Sequence, residues 1–229
     1  MHEKVSVVTK VYLGLVAFSI AGSALTRATS LDPGLIRPVA SVLLLVTGAL
    51  ALMKPMAASV GPGRAGWAVT CVLLVGLLAE VCGIYTGYPF GPYAYTAVWQ
   101  PVVTLPGEHF FPIPVCLAWF LVAGGSYFLA ARLFAGFWAI PLGAVLATLI
   151  DLAMEPVMVN QLGYWKWLEP TALPGGAAWL NPFGWLLTSW IAGAILHRFG
   201  AERTRDSDDS AWVVGGFIVL VGAFALIQG

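Results

Sequence analysis

Long apolar stretches alternate with short polar breaks along the chain, and their length decides their surroundings. A bilayer core of about 30 Å is crossed by about 20 mostly apolar residues in helix. Segments of that kind lie at 5–26, 36–53, 66–85, 112–129, 136–159, 182–196 and 211–227. The pattern predicts an all-α, polytopic transmembrane bundle of about seven helices, forming a single integral membrane domain over residues 1–229. Lys10 interrupts the first segment close to its start, where its ammonium reaches the membrane surface. No small-residue cleavage site follows that segment, so it reads as a span and not as a removable leader.

Composition agrees with the pattern. Hydrophobic residues make up 59% of the chain and charged residues 10%, with a mean hydropathy of +0.87. A soluble domain carries about 25% charged residues, so the bilayer must act as solvent here. The net charge is zero and no basic run exists, which argues against nucleic acid as a partner. With the N-terminus placed in the cytoplasm, the inner segments carry Lys4, Lys10, Lys54, Arg64, Arg132, Arg198, Arg203 and Arg205, and the outer ones Arg27, Arg37 and Lys166. That excess supports a cytoplasmic N-terminus in the cell membrane. Two loops then face outward, 86–111 and 160–181. Both are crowded with aromatic residues, among them Tyr88, Phe90, Tyr93, Tyr95 and Trp99 in the first, and Tyr164, Trp165, Trp167 and Trp179 in the second. They are expected to pack as a lid in the interfacial layer rather than to serve as linkers, although single rings also suit a headgroup-level aromatic belt.

Chemistry is sparse. Of the 11 carboxylates, Glu80, Asp151 and Glu155 fall inside predicted spans. An ionisable group at the centre of a membrane helix costs at least about 2.5–3.5 kcal/mol, so such residues face the bundle interior and have a partner or a task. Asp151 and Glu155 are four apart and share a helix face. Pro156 follows them, lacks an N–H, and leaves the carbonyl of Leu152 without its helical partner, which favours a kink. All three carboxylates are expected at similar depth beneath the lid. Two acids held close in a dry pocket do not both ionise cheaply, so one keeps its proton near neutral pH. The competing structural reading is that the carboxylates only accept hydrogen bonds from Tyr or Trp on neighbouring helices. His109 lies in the first loop and His197 at a cytoplasmic helix end, without metal-ligand spacing; no metal and no cofactor is expected. Cys71, Cys82 and Cys116 sit in apolar stretches and read as buried free thiols.

Two stretches resemble a known family. Glu80-Val-Cys-Gly83-Ile-Tyr85-Thr-Gly87-Tyr-Pro-Phe90-Gly91-Pro-Tyr93-Ala-Tyr95 is similar to one signature of the CruF-type carotenoid biosynthesis proteins. Asp151-Leu-Ala-Met-Glu155-Pro156, followed by Gly163-Tyr164-Trp165-Lys-Trp167, resembles a second. Asn181-Pro-Phe183-Gly184-Trp185 is a weaker third piece; in the family a phenylalanine directly follows the asparagine, whereas here Pro182 intervenes. The resemblance implies a carotenoid 1,2-hydratase, which adds water to the terminal double bond of an acyclic (ψ) end group without a redox cofactor. The chemistry of that reaction makes Asp151, Glu155 and Glu80 the catalytic candidates. Tyr85, Tyr93, Tyr95, Trp165, Trp167, Asn181 and Trp185 are the substrate-binding candidates, the tyrosines and Trp165 offering π faces to a cation. The expected partners are a carotenoid substrate, membrane lipid and other pigment-pathway or pigment-protein membrane complexes. Competing readings are an acid-initiated carotenoid cyclase, a non-catalytic pigment-binding or assembly subunit, and a proton-coupled transporter; the absence of an evident internal repeat weighs against the last.

Overall fold

The computed structural model describes residues 5–204 and 207–228. His2, Lys4 and Arg205 lie outside the described residues. Seven helices form the body: α1 Val7–Thr29, α2 Ile36–Val60, α3 Pro62–Thr86, α4 Pro114–Leu133, α5 Gly136–Gln161, α6 Asn181–Arg198 and α7 Asp209–Gln228. Six of them are long and apolar enough to cross a bilayer, α6 being the exception. The chain is a multi-pass membrane protein. Its outward faces are paved with exposed apolar residues such as Leu43, Leu74, Leu149 and Ile218, the surface that lipid tails solvate. α6 carries less apolar content because its polar residues serve the interior: Asn181, Thr188 and Ser189 are all buried.

Helix association in lipid depends on close approach rather than on hydrophobic exclusion. α5 packs against α4 and α6, and α1 against α2 and α7. At Gly143 on α5 an added Cβ would stand 2.8 Å from the Cα of Tyr127, so only a hydrogen at that position lets the two backbones meet. The end opposite the lid is stitched by polar contacts. Asp209 at the start of α7 accepts from the backbone N–H of Ser6 at 3.0 Å and from the Thr9 hydroxyl at 2.7 Å. Arg132 at the end of α4 donates to the carbonyl of Ser207 and pairs with Asp208 at 2.7 Å.

Helix bounds differ from those expected at several ends. α2 runs to Val60 past Lys54 and Pro55, and α3 begins at Pro62, because a helix continues beyond the apolar core that hydropathy detects. The break expected at Pro156 takes the form of a π turn, Val157–Gln161, closing α5. A second π turn, Phe120–Gly124, lies within α4. The three thiols are unpaired, but Cys82 is exposed on the helix surface instead of buried, and Cys71 and Cys116 are half-buried. Apolar flanks on a membrane helix point as readily to lipid as to protein.

The two aromatic loops do form a lid, and they do so by pairing with each other. Strand β1 (Tyr93–Tyr95) runs antiparallel to β4 (Trp165–Trp167), with Tyr93 opposite Trp167, Ala94 opposite Lys166 and Tyr95 opposite Trp165. Between them in sequence, β2 (Val102–Leu105) and β3 (His109–Pro112) make a separate hairpin. Side chains alternate across a strand. The four rings of β1 and β4 are therefore buried, while Lys166 is exposed.

Candidate functional site

Beneath the β1–β4 ribbon the three carboxylates meet. Glu80 comes from the last turns of α3, and Asp151 and Glu155 from the last turns of α5, all at the lid end of the bundle. They are 5%, 1% and 1% exposed. Together with Tyr93, Tyr95, Trp165, Trp167, Asn181 and Trp185 they line one chamber of about 50 Å³. At about 10–15 Å³ per water-sized group, that is room for roughly four such groups. No lysine or arginine lines it. Lys166 points from the opposite face of its strand, toward solvent.

The three acids have different surroundings. Glu80 is saturated with donors: Tyr93 and Tyr95 hydroxyls donate to its Oε2 at 2.6 and 2.8 Å, and the Trp119 indole N–H donates to its Oε1 at 2.8 Å. Burial first, and then the neighbouring Glu80 charge, push the Tyr93 and Tyr95 phenols well above their usual range, so both remain donors. Glu155 Oε2 accepts from the indoles of Trp165 and Trp167 at 3.2 and 2.9 Å. The Asn181 amide spans the α5 pair, its Nδ2 donating to Asp151 Oδ2 at 2.7 Å and to Glu155 Oε1 at 3.3 Å. Asp151 Oδ1 is buried and has no hydrogen-bond partner. The alternative weighed from sequence, carboxylates tied off by aromatic donors, thus describes Glu80 and the Oε2 of Glu155 well and Asp151 poorly.

The chamber holds nine of the ten residues singled out from sequence. The exception is Tyr85, which is 48% exposed and donates to the carbonyl of Pro106 at 3.0 Å while its ring meets the edge of His109. Five residues of helix turn about 140° away from Glu80, so Tyr85 leaves the chamber face; it and His109 belong to the β2–β3 side of the lid. Sequence reasoning missed Trp119, which both binds Glu80 and stacks on Trp185 with centroids 4.0 Å apart. Its only signal was an indole in the middle of a span, where the N–H needs an acceptor. Phe90 and Trp99 also line the chamber. Tight packing fixes Trp119: an added Cβ at Gly76 on α3 would stand 2.6 Å from its ring.

Fold and site together define a multi-pass membrane protein with an acidic, aromatic-walled chamber under an interfacial lid. By sequence comparison the chain belongs to the carotenoid biosynthesis protein family, which matches residues 40–229. Among its relatives, the bisanhydrobacterioruberin hydratase of Haloarcula japonica is 31% identical over 164 residues, covering 68% of this chain and 53% of that protein. The chain spans about half the length of that curated relative. No solved structure matches it significantly.

Proposed function

We propose that the protein is a carotenoid 1,2-hydratase that adds water to the terminal double bond of an acyclic (ψ) end group, giving a tertiary 1-hydroxy carotenoid. Family membership and a relative named as a hydratase support the class of reaction. The observation that carries the mechanism is the bare Oδ1 of Asp151, buried beside Glu155 in a chamber four water-sized groups across in content. The terminal (CH3)2C=CH unit has four carbons and fills such a space, while the polyene body lies outside it between helices and lipid.

Asp151 is the acid. One of its oxygens accepts from Asn181 and the other is free to present a proton. Glu155 is the base, since three N–H donors serve its carboxylate as an anion. In the reaction, Asp151 gives its proton to the alkene carbon that bears hydrogen. The positive charge develops on the carbon bearing two methyl groups. A water oxygen bonds to that carbon and its surplus proton passes to Glu155. The pair then holds as many protons as before, and the proton returns to Asp151 through water. The π faces of Tyr93, Tyr95 and Trp165 offset the developing charge by about 2 kcal/mol or more when desolvated. Glu80 acts as a positioning residue that fixes the two tyrosines and Trp119. The excess of lysine and arginine in the inner segments supports a lid on the non-cytoplasmic side of the cell membrane.

Expression in a bacterium that accumulates lycopene tests this reading. Extracted pigment is expected to gain the mass of one water, and growth in heavy-oxygen water to label the new hydroxyl. A product of unchanged mass with an altered spectrum would instead identify a cyclase, and unchanged lycopene would favour a non-catalytic subunit.

A further inference from the structure

A second cavity lies at the lid end, outside the carboxylate chamber. Thr26, Arg27 and Ser30 at the end of α1, Arg37 in the first turn of α2, and Asn160 and Gln161 at the end of α5 wall a groove of about 380 Å³. No carboxylate lines it. Among the described residues the ion pairs are Arg132–Asp208 and His197–Glu202, so neither Arg27 nor Arg37 has an acidic partner. Gln161 adds a different demand: its Oε1 is buried and has no donor. The groove sits where three helices stop, at headgroup depth for a bundle of this length.

We propose that this groove binds a phosphate ester that carries a neighbouring hydroxyl, the chemistry of a phosphoglycerol headgroup. Two guanidinium groups lining one groove supply the positive charge a phosphate needs, and guanidinium binds phosphate in fork geometry. Once the Gln161 amide turns toward the groove, a glycerol hydroxyl donates to its Oε1, whereas a phosphodiester has no proton to offer. A buried acceptor left without a donor costs about 1–3 kcal/mol, which gives the hydroxyl a selective role. The groove also touches the lid. Arg37 acts electrostatically on Tyr164, whose ring stacks on Trp99 with centroids 4.8 Å apart, and Trp99 lines the carboxylate chamber. The groove therefore neighbours the wall of the reaction chamber, yet its existence does not depend on what that chamber does.

The test uses the purified, delipidated full chain in detergent, with binding read by native mass spectrometry and thermal unfolding. Phosphatidylglycerol is expected to bind and to raise the unfolding temperature, while phosphatidylcholine does neither. Arg27→Gln and Arg37→Gln should each weaken phosphatidylglycerol about tenfold, and the corresponding lysine variants less. Both arginines are at least partly exposed, so these variants keep the fold. Gln161→Leu should erase the preference for phosphatidylglycerol over phosphatidylethanol, a phosphodiester without a hydroxyl. Competition by glycerol 3-phosphate supports the same site with a soluble phosphate ester as its source; failure to compete assigns it to lipid. Equal binding of phosphatidylcholine and phosphatidylglycerol, or undiminished binding in the double glutamine variant, overturns the proposal.

Discussion

Asp151 and Glu155 stand one helical turn apart, yet their neighbours divide the work between them. Asn181 holds one oxygen of each, two indoles hold the rest of Glu155, and nothing holds Asp151 Oδ1. Asn181→Leu removes the shared donor while keeping size. On the hydratase reading it should cut product formation at least as severely as it cuts stability, as judged by pigment yield per inserted protein. Trp119→Phe removes one of the three donors to Glu80 and keeps an aromatic ring beside Trp185. It leaves Glu80 Oε1 without its donor, which costs about 1–3 kcal/mol, so the unfolding temperature in detergent should fall while any remaining product is chemically unchanged. A Trp119→Phe protein as stable as the parent would show that the Trp119–Glu80 bond does not hold the chamber wall in place. The carboxylates were legible in the sequence because charge inside an apolar span is costly. Trp119 was not legible, because one indole among Leu, Ala and Phe looks like core until its acceptor is seen. Tyr85 was misplaced for a simpler reason: proximity to Glu80 in sequence outweighed the helical rotation that separates them.

At the scale of elements, the lid depends on two three-residue strands more than sixty residues apart in the chain. Tyr-Ala-Tyr and Trp-Lys-Trp each carry the period-two pattern of a half-buried strand. Segments so short show no strand by themselves, and each becomes one only by pairing with the other. The spans were legible because bilayer thickness sets their length, whereas α6 blends with them only in part, its polar positions being spent on the chamber and the core. Gly175 anchors the loop between β4 and α6 against α5. Its φ is +66°, and an added Cβ would stand 2.7 Å from the Glu155 carbonyl carbon. Gly175→Ala should displace the loop and lower both stability and product yield. Gly22→Ala on α1, where no atom beyond the local helix backbone lies within 4 Å of the added carbon, should change neither adversely. Thermal unfolding of the two variants side by side checks the contrast; equal losses would show that the loop does not press on α5.

For the whole molecule, the arrangement puts a small chamber of carboxylates and aromatic rings at one end of an apolar bundle. On the proposed reading, a polyene about as long as the bilayer is thick lies along the helices while only its tip reaches the acids. The proposed topology has a direct check. Lys166→Cys, on the exposed face of β4, should react with an impermeant thiol reagent added outside intact cells, while Arg203→Cys, on the opposite end, should not. Reversed labelling would invert the orientation and put the lid in the cytoplasm.

The central claim is that Asp151 delivers the proton, and pigment mass in a lycopene-producing bacterium tests it most directly. Parent protein and Asp151→Asn are compared at equal membrane content. The account predicts a hydrated carotenoid from the parent and none from Asp151→Asn. Undiminished hydrated product from Asp151→Asn would contradict it.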